Sequence, residues 1–164
     1  MWGSTKANTP DECTWAKVPF NGGASSYNSS YFSSVKNSVC PNGILAKKYD
    51  AASQIMGGDW RMPTKADFEE LLSGTTNEWI ENYKGTGVNG YKFTASNGNY
   101  IFIPAAGYCD DGSVYDVGGC GSVWSSSLNA SNPLNAWNLN FYSGSYDVSN
   151  DCRYGGQSVR GVRN

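Results

Sequence analysis

Gly57-Gly58-Asp59-Trp60-Arg61-Met62-Pro63-Thr64-Lys65-Ala66-Asp67-Phe68-Glu69-Glu70-Leu71-Leu72 is the stretch on which the fold turns. It closes one predicted helix and opens the last one. The paired glycines stop whatever precedes them. Trp60 to Pro63 reads as a short extended link. Thr64 is a good N-cap, and Asp67, three residues on, completes a near capping box. Asp67, Glu69 and Glu70 place negative charge at the positive end of the helix dipole. Phe68, Leu71 and Leu72 form its apolar face, and Gly74 is placed to end it.

Toward the N-terminus, Leu45, Tyr49, Ala52 and Met56 recur on one helical face, which predicts a helix over 44–56. Residues 1–43 read as irregular, with Ser and Asn crowding 25–38 and a short helical turn around Tyr31–Lys36. Pro41-Asn42-Gly43 punctuates the chain. Beyond Asn77 no helical period recurs. Strands are predicted at 78–83, 91–95, 99–104, 122–126, 136–142 and 157–163. Tyr100-Ile101-Phe102-Ile103 lacks alternation and reads as a central strand buried on both faces. In 136–142, Trp137, Leu139 and Phe141 face one way while Asn138, Asn140 and Tyr142 face the other. Two helices followed by many short strands predict an α+β class, here as one domain over 1–164.

The composition bounds the function. The 164 residues suffice for one domain with a real core. A net charge of −2 exerts no strong pull toward nucleic acid or an anionic membrane. No apolar run approaches the roughly 18 residues a bilayer span needs, so membrane insertion is not expected. No signal peptide is visible, and an upstream leader or domain stays open. High Gly and aromatic content with 16% charged residues suits a turn-rich, extracellular-type β protein. The five cysteines predict bridges Cys13–Cys40 and Cys109–Cys120 with Cys152 free, although these four allow three pairings. A fully reduced chain is the alternative. There is no histidine, which removes the commonest general base and zinc ligand and rules out a Ser-His-Asp triad.

Four segments together resemble a bacterial C-type-lectin-like family, the Fibrobacter succinogenes major paralogous domain common in Bacteroidetes surface proteins. They are Gly57–Leu72, Ile103-Pro104-Ala105-Ala106-Gly107-Tyr108, Val123-Trp124-Ser125-Ser126-Ser127 and the terminal Gly156–Arg163. The resemblance covers residues 44–164. It implies a C-type lectin-like fold, with two helices packed on small antiparallel sheets and an irregular C-terminal region that binds ligand. The family also supplies the variable proteins of diversity-generating retroelements, in which adenines of a template copy are randomised and Asn codons are the main targets. Asn138 to Gly156 is similar to an Asn-rich template after such mutagenesis. Tyr142, Ser145, Asp147, Ser149, Asp151, Cys152 and Tyr154 stand at template Asn positions, while Tyr146 stands at a Val of that pattern. The family's terminal motif carries Cys where this chain has Gly161, so its disulfide pairing does not transfer.

The expected site is therefore a solvent-facing recognition patch of Tyr142, Ser145, Tyr146, Asp147, Ser149, Asp151, Cys152 and Tyr154 within a variable region 121–164. Phe141 and Val148 anchor it as a loop. Tyr with Ser, Asn and Gly is the mix that antibody paratopes use. Asn129, Ser131, Leu134, Asn138 and Asn140 are expected to border the patch. Trp124 and Trp137 are read as framework, and Arg153, Arg160 and Arg163 as partners of loop carbonyls or carboxylates. The calcium-lectin motifs are absent, and Asp110, Asp111 and Asp116 around Gly112 read as an acidic turn. Formylglycine-generating enzymes share the fold and use paired cysteines, but Cys109 and Cys120 are far apart in sequence and the rest of that site has no counterpart. The resulting expectation is a non-catalytic domain without cofactor or metal, on a bacterial surface or phage particle, binding a protein or other surface ligand. An undiversified structural or pilus-tip adhesive module of the same family is the alternative.

Overall fold

A computed structural model describes residues 1–163; Asn164, where the predicted domain and variable region end, lies outside them. The class is mixed α+β, with few helices and several small antiparallel sheets. The helices are α1 (Ser29–Val39), α2 (Ala51–Met56) and α3 (Lys65–Gly74). The strands are β1 (Trp60–Arg61), β2 (Thr75–Ile80), β3 (Gly90–Ala95), β4 (Tyr100–Pro104), β5 (Tyr108–Asp110), β6 (Ser113–Tyr115), β7 (Cys120–Leu128), β8 (Asn135–Tyr142), β9 (Ser145–Cys152) and β10 (Val162–Arg163). They form two three-stranded sheets, β2-β3-β4 and β7-β8-β9, and two ribbons, β1-β10 and β5-β6.

The predicted start of α3 holds in detail. Thr64 Oγ1 accepts from the Asp67 amide, and Asp67 Oδ2 accepts from the Thr64 amide at 2.6 Å. Arg61 reaches the same carboxylate with both guanidinium nitrogens, at 2.6 and 3.1 Å. The extended link Trp60–Arg61 is β1, paired with β10 at the far end of the chain.

The first predicted helix is shorter than its periodicity suggests. Asp50 is buried, and its carboxylate accepts from the amides of Ser53 and Met62. A carboxylate in that position is an N-cap, so a new helix begins at Ala51. Before it, a 3-10 turn spans Lys47–Tyr49, and Leu45 donates its amide to Ser126 O. Leu45 and Ala52 are buried as expected, but Met56 is exposed. Conversely, the turn read around Tyr31–Lys36 is a full helix, α1. Asn28 caps it by accepting from the Tyr31 amide, and it buries Phe32 and Val39.

Three strand readings change. β4 lies at the edge of its sheet, not the centre; Ile101 and Ile103 pack into the core, while Phe102 on the other face is stacked under the Tyr83 ring at 3.9 Å. Of 157–163 only Val162–Arg163 is strand, with Ser158 making a single parallel bridge to Val123. The segment expected to be an irregular binding loop is regular: β9 pairs with β8 without interruption from Asn135↔Cys152 to Tyr142↔Ser145.

The β7-β8-β9 sheet is apolar on both sides over part of its area. One face contributes Val123, Leu139 and Phe141 to a cluster with Phe68, Tyr91, Phe93 and Ile103. The other contributes Trp124 and Ala136 to a cluster with Trp2, Phe32, Val39, Leu45 and Met62. Gly121 opposes Phe141, and a Cβ there would overlap the ring. No predicted bridge forms. All five cysteines are free thiols, and Cys40 sits with Trp2 and Phe32 while Cys13 sits in a separate cluster with Met1, Val18 and Cys109. No helix of the described residues is long and apolar enough to cross a membrane.

Candidate functional site

Directly opposed residues of an antiparallel pair point to the same side, so the register sorts the candidate residues. Tyr142↔Ser145, Asn140↔Asp147, Asn138↔Ser149 and Ala136↔Asp151 share the face turned away from Leu139, Phe141 and Val148. β7 adds Ser122, opposite Asn140, and Cys120, opposite Tyr142. Four of the predicted β9 residues, at every second position from Ser145 to Asp151, thus line up on one side with Tyr142. At that end the face is open: Tyr142 is 52% exposed, and Asp147 is exposed beside it.

Toward Asp151 the face deepens into a polar cavity of about 440 Å³, walled by Tyr108, Asp110, Ser122, Asn140, Asp151, Tyr154 and Gln157. Its residues hydrogen-bond one another: Asn140 Nδ2 donates to Ser122 Oγ at 3.1 Å, and Gln157 Nε2 to Asp151 Oδ2 at 3.2 Å. Both carboxyl groups lie in the cavity wall. Burial raises the affinity of Asp151 for its proton, and Asp110 adds to this, while the Cys152 amide that Asp151 accepts works the other way. Asp110 Oδ1 is buried without a hydrogen-bond partner. No Lys or Arg lines the cavity, so its wall offers hydrogen-bond acceptors and negative charge.

The remaining predicted residues sit elsewhere. Tyr146 is on the opposite face, its ring edge-on to Tyr91 at 5.2 Å, with its outer part on the rim of the sheet. Tyr154 packs on Trp15, and the nearby Asp110 carboxylate, together with burial, holds its phenol in the protonated form. It is wall, not a free contact. Cys152 ends β9 opposite Asn135 and borders the cavity. Asn138 is 1% exposed, its amide spent on Gln157, so it supports the face from beneath. Asn129 is also buried and organises a turn: its Oδ1 accepts from Ser131 and Asn132, and its Nδ2 donates to Asn150. That turn, with exposed Ser131 and half-buried Leu134, lies at the Asp151 end of the sheet, away from Tyr142.

The framework residues take the roles read from sequence. Trp124 is fully buried, its indole donating to Gly155 O. Trp137 is capped by the Lys65 ammonium, 4.4 Å from the ring centre. Arg153 Nε donates to Pro133 O, and its guanidinium lies 3.9 Å from the centre of the Phe32 ring. Ser122, Gln157 and Tyr108 were not anticipated as site residues. Ser122 was legible from its place in a strand next to 136–142; Gln157 and Tyr108 reach the site only through the packing of distant segments.

Burial pushes the thiols of Cys40, Cys120 and Cys152 up, the reverse of what a nucleophilic or metal-binding thiolate needs. Among the described residues no group of three or more Cys, Asp or Glu side chains is placed to hold a metal ion. No family model, curated protein or solved structure matches the chain.

Proposed function

We propose that this protein is a non-catalytic recognition domain of the C-type lectin-like class, and that it binds a protein or other surface-displayed ligand through the outer face of β8 and β9. The carrying observation is the register. Ser145, Asp147, Ser149 and Asp151 share one side with Tyr142, while Val148 between them packs against the core. Such a face can change its chemistry without disturbing the residues that hold the sheet. That separation is what diversification by a retroelement requires, and we assign the gene to such a system, displayed on a bacterial surface or phage particle. The exposed Tyr142 supplies rigid contact area, and the Ser, Asn and Asp groups around it supply adaptable hydrogen bonds.

Two measurements test the reading. The gene's neighbourhood is expected to hold a reverse transcriptase and a repeat differing from the 3′ coding region only at adenines. In a display library, randomising 142, 145, 147, 149 and 151 should leave most members folded, and selection on immobilised cell-surface proteins or glycans should enrich binders. Randomising 139, 141 and 148 should abolish folding in most members. Absence of the reverse transcriptase overturns the diversification; equal intolerance of the two libraries overturns the recognition face.

A further inference from the structure

Cys13 and Cys109, almost the whole N-terminal two-thirds of the chain apart in sequence, meet at one point of the fold. The place that a Cβ on Gly156 would occupy lies 2.6 Å from Cys13 Sγ and 3.7 Å from Cys109 Sγ. The two thiols share one small buried cluster with Met1 and Val18, where burial and Cys109 make Cys13 harder to ionise. Both are also held by the same turn, Cys13 Sγ over Thr9 O and Cys109 Sγ over Pro10 O. Cys109 is fixed from its own side by a pair of backbone hydrogen bonds with Gly156, at 2.7 and 2.8 Å. Any side chain at 156 would occupy the space where the sulfurs meet, so the glycine is what lets them approach. The other thiols lack this arrangement: Cys40 belongs to a different cluster, Cys120 Sγ faces Ser122 Oγ, and Cys152 ends β9 opposite Asn135, outside the cluster of Cys13 and Cys109.

We propose that Cys13 and Cys109 are a disulfide-forming pair that locks the N-terminal segment onto β5, and so onto one wall of the polar cavity. Bridging brings the two sulfurs to the S–S bond length of about 2 Å. The oxidant is a small-molecule or protein disulfide, such as oxidised glutathione. One cysteine thiolate attacks it, forming a mixed disulfide and releasing one glutathione thiolate. The second cysteine thiolate then attacks the protein sulfur of the mixed disulfide and releases the other glutathione. Two cysteine protons are lost, the cysteines are oxidised by two electrons, and the oxidant leaves as two glutathione thiols. Burial and the neighbouring Cys109 push the Cys13 thiol up to about 12, so exchange proceeds as the N-terminal segment opens or during folding, and the closed bridge is shielded afterwards. Tyr108 and Asp110 flank the bridged Cys109 in the cavity lining, so oxidation stiffens that wall whether or not the cavity binds a surface ligand.

The full chain is to be refolded or incubated in excess oxidised glutathione, quenched with N-ethylmaleimide under denaturing conditions, and digested without reduction. Mass spectrometry is expected to find a peptide joining Cys13 to Cys109 in monomeric protein, absent from Cys13→Ser and from Cys109→Ala. Hydrogen exchange over residues 1–20 should slow, and the unfolding midpoint should rise by several degrees on oxidation of the wild type, returning to its starting value with dithiothreitol. Recovery of both residues as maleimide adducts overturns the pair, as does a dominant peptide joining Cys109 to Cys152 or Cys13 to Cys40.

Discussion

Two carboxylates illustrate how single side chains act in opposite directions. Asp67 is held well below the usual carboxylate range, at about 2 against 3.8, first by Arg61 and then by Thr64. Its folded-state value is depressed, so the stability it confers is present above pH 3.8 and disappears as the pH falls through about 2. Asp67→Asn should therefore cost about 1 kcal/mol at pH 7, and urea titrations should show the difference from wild type shrinking toward pH 2. Asp151 has the reverse sign. Burial raises its folded-state value, so the ionised group costs stability at neutral pH, and the cost vanishes in acid once both folded and unfolded chains are protonated. Asp151 keeps part of its surface in solvent, so Asp151→Asn should raise stability only slightly at pH 7 and leave it unchanged well below pH 3.8. If Asp151 contacts a ligand, the same substitution weakens binding to any partner selected on arrays while stability rises. Gly121 is a steric case. Its Cβ would enter the Phe141 ring, so Gly121→Ala should destabilise by about 1–3 kcal/mol in chemical denaturation.

At the scale of elements, β9 is the instructive one. Its sequence, Ser145-Tyr146-Asp147-Val148-Ser149-Asn150-Asp151-Cys152, carries one aliphatic residue and many turn formers, so local preference argues against a strand. Pairing with β8 overrides that preference, because the ladder and the contact of Val148 with Leu139's cluster are non-local. The opposite holds at 44–56, where a helical period runs through a segment that the Asp50 cap interrupts. A period reports which residues can share a face, not whether the backbone stays regular between them. α1 was legible in part: Phe32, Val35 and Val39 follow a helical spacing, but serines between them mask it. The two sides of the β8–β9 ladder should respond differently to truncation. Leu139→Ala, in the fully buried side, should cost about 2–5 kcal/mol, whereas Asp147→Ala should lie within about 0.5 kcal/mol of wild type, both read from denaturant midpoints.

At the scale of the molecule, Arg153 ties the C-terminal sheet to the N-terminal segment. Its side chain is fully buried, among the rings of Trp2, Trp15, Tyr27 and Phe32, and its carbonyl accepts from the Trp2 amide. A cation desolvated among aromatic faces is stabilised by about 2 kcal/mol or more, and a planar guanidinium stacks where an ammonium cannot. Arg153→Ala should destabilise by at least that amount, and Arg153→Lys should recover little of it in thermal unfolding. The α+β class, the capped start of α3, the inward pair Leu139 and Phe141 and the outward Tyr142 were legible in the residues alone, because caps and alternation depend on positions a few residues apart. Long-range packing alone makes β9 a strand, puts Trp2 and Arg153 in one core, gathers Ser122, Asp110 and Gln157 around a common cavity, and brings Cys13 to Cys109. Those outcomes rest on contacts between segments many tens of residues apart, and residue spacing carries no record of which distant surfaces fit together.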